Sequence, residues 1–131
     1  MLLMSTRIFA FNLFVLIETT EFSKKNIKCA LFNENLKELF PMKYDQAQLL
    51  NAMVVNEKVM CKFENISYGN YAVSIYNDQN KNNKLDTNLF GIPKEEWGVS
   101  NNIRHKISSP DFEESQIFID NDAEIKIKLG N

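Results

Sequence analysis

From Phe11 onward, apolar and polar side chains alternate in short bursts, each closed by polar or turn-forming residues. A period of two marks half-buried β-strands. Phe11–Thr20 predicts a first strand, and Ile27–Phe32 a second with Ile27, Cys29 and Leu31 opposite Lys28. Asn33–Leu50 loses the rhythm. Leu36, Leu39 and Phe40 have helical spacing, but Pro41 disfavours helix at Phe40, so a loop with one helical turn is expected. Met53–Val55 and Lys58–Phe63 predict a hairpin around Asn56-Glu57. The clearest strand is Asn70–Tyr76, with Tyr71, Val73 and Ile75 on one face and Asn70, Ala72, Ser74 and Tyr76 on the other. Gln116–Ile119 and Glu124–Leu129 predict a closing hairpin across Asp120-Asn121-Asp122. About seven short strands with almost no helix predict an all-β, two-sheet antiparallel sandwich.

The N-terminus needs a separate reading. Arg7 precedes the apolar run Ile8–Ile17, which has the outline of a short export signal, whereas a membrane-spanning helix needs roughly 20 apolar residues. No transmembrane segment is expected. Glu18-Thr19-Thr20-Glu21 offers no small-residue cleavage site, so residues 1–10 are read as a leader or the remnant of an export signal, and 11–131 as one sandwich domain.

Composition agrees with a single domain of 131 residues. The net charge of −2 supplies no overall basic field for nucleic acid or anionic lipid, and aromatic residues are not interleaved with a Lys/Arg stripe, which further argues against nucleic acid as a partner. Only 4 residues are Gly while 17 are Asn, so Asn is expected to do much of the turn work that Gly usually does. Cys29 and Cys61 share the parity of large apolar neighbours and are read as two buried free thiols. Spacing alone does not establish a disulfide between them.

The segment FENISYGNYAV resembles the Phe-x-Asn-Leu-x-x-Gly-x-Tyr-x-Val turn of prealbumin-like (transthyretin-like) sandwiches, with Phe63, Asn65, Ile66, Gly69, Tyr71 and Val73 in the matching places. Gly69 would supply the free φ of the reversal, and the Tyr71 hydroxyl would tie back to the turn. The run YAVSIYNDQNKNNKLDTNLFGIPKEEWGVSNN, with the later SPDFEESQIFI, resembles a mostly exported bacterial family catalogued as domain of unknown function 2141, over roughly Leu13–Leu129. That resemblance implies a prealbumin-like sandwich and export to the cell envelope or exterior, and brings no established reaction. The chain departs from the usual pattern in Asn77, where a His commonly precedes the Asp, and in Lys81 and Asn83, where Gly is frequent.

The loop after the clearest strand carries the chemical lead. Asp78, Asn80, Asn82, the carbonyl of Lys84 and Asp86 fall at the spacing with which an EF-hand-like loop points oxygens at Ca²⁺. The bidentate carboxylate is missing, because Leu89 stands in its place. Affinity would then be about 10⁻⁴–10⁻³ M unless Glu95 or Glu96 folds back as a further ligand. The competing reading is an Asx-rich loop whose side chains bond their own backbone.

Gly91–Asn102 follows as a long connection shaped by Pro93, Trp97 and Gly98. Trp97 is either an exposed platform for a sugar, peptide or partner surface, with Lys94, Glu95, Ser100, Asn101 and Asn102 around it, or a packing residue that pins the loop with Phe90 and Ile92.

Enzymatic signals are poor. His105 is the sole His and is read as a solvated loop residue; Ser100, Ser108 and Ser109 lack a nucleophile-elbow setting. Glu95-Glu96 and Glu113-Glu114 are read as solvated acids. The sequence thus favours a non-catalytic binding module in which Ca²⁺ orders the loop and the ordered loop presents Trp97 to a protein or carbohydrate. A small hydrolase or sugar-active enzyme using Glu95 or Glu96 is the alternative, and a purely structural envelope domain a third.

Overall fold

The computed structural model describes residues 9–131. Most of the expected leader, residues 1–8, lies outside them, and Ala10 already opens the first strand. Nine strands are present among the described residues: β1 (Ala10–Glu18), β2 (Ile27–Asn33), β3 (Gln48–Asn51), β4 (Met53–Val55), β5 (Lys58–Ser67), β6 (Gly69–Asn77), β7 (Trp97–Val99), β8 (Ile117–Ile119) and β9 (Ala123–Lys128). One sheet has the order β4-β5-β1-β9. The other has the order β3-β2-β6-β7, with β8 also pairing β6. This is an all-β sandwich, with the inner faces of both sheets forming one core.

Leu13, Val15 and Ile17 alternate inward from β1 and meet Cys61, Phe63, Ile66 and Ile127 from their own sheet, and Cys29, Leu31, Val73 and Ile75 from the other. Burial of this alternating set fixes the register, because a slip by one residue would turn every inward side chain outward. Asn56 and Glu57, both with positive φ, make the tight turn of the expected β4–β5 hairpin. At the β5–β6 crossover, Gly69 has φ +148° and the Tyr71 hydroxyl donates to the Ser67 carbonyl at 2.8 Å, as that turn's sequence predicts.

Other expectations need correction. Cys29 and Cys61 are not free thiols but a disulfide joining β2 of one sheet to β5 of the other. Facing inward from opposite sheets, with Cα atoms 6.5 Å apart, they lie within bridging range, which the parity of each strand taken separately could not reveal. The last two strands are not a hairpin. Asp120–Asp122 carries the chain from one sheet to the other, so that β8 pairs β6 while β9 runs parallel to β1, from Leu13 beside Ala123 to Glu18 beside Lys128. The sandwich is therefore antiparallel apart from this one pairing. Asn33–Leu50 holds two 3₁₀ turns, Glu34–Leu39 and Tyr44–Gln46, and the short strand β3, which lacks alternation because Leu49 and Leu50 are both half-buried.

The face of β6 carrying Ala72, Ser74 and Tyr76 is buried too. A second apolar layer covers it, built from Phe32, Phe40, Tyr44, Leu85, Val99 and Phe112. Tyr44 stacks on Tyr76 with centroids 4.6 Å apart, and Phe40 meets Phe32 edge to face at 5.3 Å. Phe112 enters this layer from the one-turn helix α1 (Phe112–Ser115), which opens with an Asp111/Glu114 capping box.

One side of the sandwich is nearly sewn shut. Trp97 N–H donates to Gly130 O at 2.8 Å and Gly130 N–H to Trp97 O at 3.1 Å, linking β7 to the segment after β9. Gly98 is required here, because a Cβ would lie 2.5 Å from the Lys128 carbonyl oxygen. Asn102 reinforces the seam by accepting from Lys128 N–H and donating to Lys126 O.

Candidate functional site

β6 ends at Asn77, and the chain reaches β7 only at Trp97. The intervening loop is organised by its own carboxylates. Asp78, fully buried, accepts from Asn83 N–H at 2.8 Å and Asn82 N–H at 3.2 Å, while Asn26 holds its backbone on both sides. Glu95, 5% exposed, accepts from Gln79 N–H at 2.7 Å with one oxygen and from Asp86 N–H at 2.9 Å with the other. Both ends of the loop thus close on the same carboxylate. Asp86 faces the side-chain amides of Asn80 and Asn82, and these donors, Asn82 foremost, hold its carboxyl below the ordinary carboxylate range. The Asn82 amide oxygen accepts from Lys84 N–H, an Asx turn. Lys81 and Asn83 take the left-handed conformation that Gly adopts without strain.

The six positions nominated for a cation are therefore gathered in one loop, but Asp78 and Glu95 point at backbone amides. Among the described residues, no three His, Cys, Asp or Glu side chains come together as a metal-holding group. Glu95 and Glu96 are not a solvated pair: Glu95 is buried and Glu96 is paired with Lys25 at 2.7 Å.

Past Asp86 the loop makes a second, smaller excursion. Asn88 closes it by accepting from Phe90 and Ile92 N–H and pairing its backbone with Ile92, leaving Leu89, Phe90 and Ile92 exposed at the tip. Phe90 and Ile92 therefore do not pin the loop with Trp97, contrary to one reading of the sequence. Between this tip and the segment Arg104–Pro110 lies a cleft of about 510 Å³. Trp97, Leu85 and Ser74 line its inner part, while Met42, Ile92 and Arg104 stand among its walls.

Trp97 is half-buried, neither plug nor open platform. The Arg104 guanidinium covers its ring, 4.1 Å from the centroid, and donates to the carbonyls of Trp97 and Gly130. Partial burial holds Arg104 below its ordinary pKa without discharging it. Next to it, His105 Nε2 lies 2.9 Å from both carboxyl oxygens of Glu114, and that contact pulls the Glu114 carboxyl down. His105 is exposed, as expected, but paired.

Of the residues nominated for ligand contact, only Trp97 lines the cleft. Lys94 is exposed on the loop and donates its N–H to Asp86 O. Ser100 is buried, accepting from Val73 N–H and donating to Ser115 O. Asn101 donates to the carbonyls of Glu114 and Gln116, and Asn102 serves the seam. These three brace the fold. Leu85, Ser74 and Arg104 were missed; the one available signal was Leu85, an apolar residue inside an otherwise polar run.

A two-sheet sandwich whose longest loop frames a half-buried Trp beside a mixed apolar and polar cleft defines the class: a β-sandwich domain with a loop-built cleft. The family described as "Uncharacterized protein conserved in bacteria" (DUF2141) matches residues 15–128, and the chain belongs to it. No curated protein and no solved structure matches the chain. Among the described residues, no helix is long and apolar enough to cross a membrane.

Proposed function

We propose that the protein is a non-catalytic binding module of the bacterial cell envelope or exterior, and that its ligand occupies the cleft floored by Trp97. The carrying observation is the make-up of that cleft: a half-buried indole under Arg104, apolar side chains of Leu85, Met42 and Ile92, and the polar groups of Ser74, Arg104, His105 and Ser108 to orient a guest. Such a lining suits a small ligand, or one segment of a carbohydrate or peptide, with an apolar face and an acidic or hydrogen-bonding end. An oxidising location is supported by the Cys29–Cys61 disulfide, since such bonds persist outside the reducing cytosol. The Phe63–Val73 turn supports kinship with prealbumin-like sandwiches. Calcium would reach this loop only through Asp86, at the cost of the Asn80 and Asn82 amides that now face it, so the reading does not require it. The hydrolase reading loses support because both Glu95 oxygens are committed to N–H donors.

Trp97 is the chain's only Trp, so its fluorescence reports the cleft directly. Titration with panels of oligosaccharides, peptides and small carboxylic acids is expected to give a saturable emission change for one class. Ile92→Asp, an exposed wall substitution, should weaken that response. No saturable response from any panel, with the fold intact, would sink the proposal.

A further inference from the structure

We infer that the two loop tips bordering the cleft form a docking surface for an anionic lipid bilayer. Leu89 is 101% exposed and Phe90 86% exposed on one tip; Ile107 is 99% exposed on the other. Phe90, Ile92, Lys106 and Ile107 all border the same cleft, so the two tips face the same side of the molecule. Side chains this free contact almost nothing of their own chain. They form separate knobs rather than a flat patch, a shape that suits insertion into a deformable lipid interface better than complementarity to a rigid partner.

Charge supplies the second argument. The chain as a whole carries −2, yet the segments 84–94 and 103–110 that build the tips hold Lys84, Lys94, Arg104 and Lys106 against the single carboxylate Asp86. Asp86 stays ionised, so the two segments carry an excess of three positive charges, and the neighbouring Glu114 is paired with His105. Apolar knobs on segments that also carry an excess of cations are the complement of an anionic headgroup layer over acyl chains, each element adding to the other. This inference goes beyond the cleft's guest and stands whether or not the cleft binds one.

The test is co-sedimentation with vesicles. Zwitterionic vesicles and vesicles with roughly 30% anionic phosphatidylglycerol are compared at low and high salt. Binding is expected only to the anionic vesicles, weakened by salt, and reduced at least about ten-fold in Leu89→Ser/Ile107→Ser, whose melting temperature should match the parent because neither side chain is packed. Lys84→Gln/Lys94→Gln/Lys106→Gln should also reduce it while leaving the apolar knobs in place. Absence of binding at low salt overturns the inference, as does binding unchanged by the Leu89/Ile107 pair. Sedimentation equilibrium of the lipid-free protein covers the remaining occupant: a dimer that the same pair of substitutions dissolves would show the knobs belong to a second copy and overturn it.

Discussion

The guanidinium of Arg104 lies over the indole of Trp97, 4.1 Å from the ring centroid, while hydrogen bonding to that residue's own carbonyl and to Gly130, so one side chain roofs the cleft floor and fastens the seam beside it. Arg104→Ala removes the roof and both bonds. The expected outcome is a red shift of Trp97 emission with a loss of about 1 kcal/mol in denaturant unfolding, the cation–π and hydrogen-bond contributions at a half-exposed position being of that order. Emission unchanged from the parent would show that Arg104 does not shield the ring.

The disulfide makes a separate expectation. Cys29 and Cys61 are 32 positions apart and sit in opposite sheets, so the bond restrains the unfolded chain over a loop whose closure is worth about 3–4 kcal/mol. Cys29→Ala/Cys61→Ala should lower the melting temperature by roughly 10–15 °C. Reductant should shift the parent toward the double variant and leave the variant itself unmoved.

In the loop, Asp78 serves two backbone N–H groups from a fully buried position. Asp78→Ala should cost about 2 kcal/mol, the range of hydrogen bonds to a charged acceptor. Because Asp78 and Glu95 already have donors, roughly millimolar calcium is expected to leave the melting temperature where magnesium or chelator leaves it. A rise selective for calcium would return the loop to the cation reading and direct mutation to Asp86.

Tyr44 and Tyr76 present hydroxyls that are buried without a hydrogen-bond partner. Burial, with Asp78 and Glu95 near, raises both phenols well above their ordinary value of 10.0. Unfolded, they ionise near that value; folded, they keep their protons. Their contribution to stability is therefore full below pH 10 and falls as pH rises beyond it. Tyr44→Phe and Tyr76→Phe should be neutral or slightly stabilising at pH 7, since each removes an unsatisfied hydroxyl, and the double variant should lose stability less steeply above pH 10. An unaltered alkaline slope would contradict this account.

Gly98 gives the sharpest test of the seam. Gly98→Ala sets a methyl group against the Lys128 carbonyl and the Ile127 side chain and should cost about 1–3 kcal/mol, the usual penalty for overpacking. A variant as stable as the parent would mean that β7 and β9 part easily.

Legibility in the sequence followed the range of the interactions. The β4–β5 hairpin, β6, and the Tyr71 tie-back to Ser67 depend on alternation and turn chemistry within a few residues, and they stand as read. Asn at positive φ, at residues 56, 83, 101 and 102, does the turn work foreseen from the shortage of Gly, and Asn65 takes the same conformation within β5. What was lost depends on partners far along the chain. Cys29 reveals nothing of Cys61 until two sheets are stacked, and β8 and β9 look like a hairpin until each finds a different sheet. Trp97–Val99 was hidden as a strand because three residues give too little alternation to count. Within the site, the Asn and Asp spacing was legible as a loop with internal order. Its use of Asp78 on backbone amides was one of two readings that the sequence could not separate, since ligand spacing and Asx-turn spacing coincide, and the same use of Glu95 was not foreseen.

Parallel pairing of β1 with β9 places Leu13 beside Ala123, the first strand against the last. During synthesis β1 can acquire β5 on one edge, but its other edge stays open until β9 has emerged. Contacts of such sequence separation form slowly and leave an unpaired edge exposed in the interim. The domain thus completes itself only once β9 is in place, as one unit, and a chain cut before Ala123 should depend on chaperones or precipitate instead of folding to a shortened sandwich.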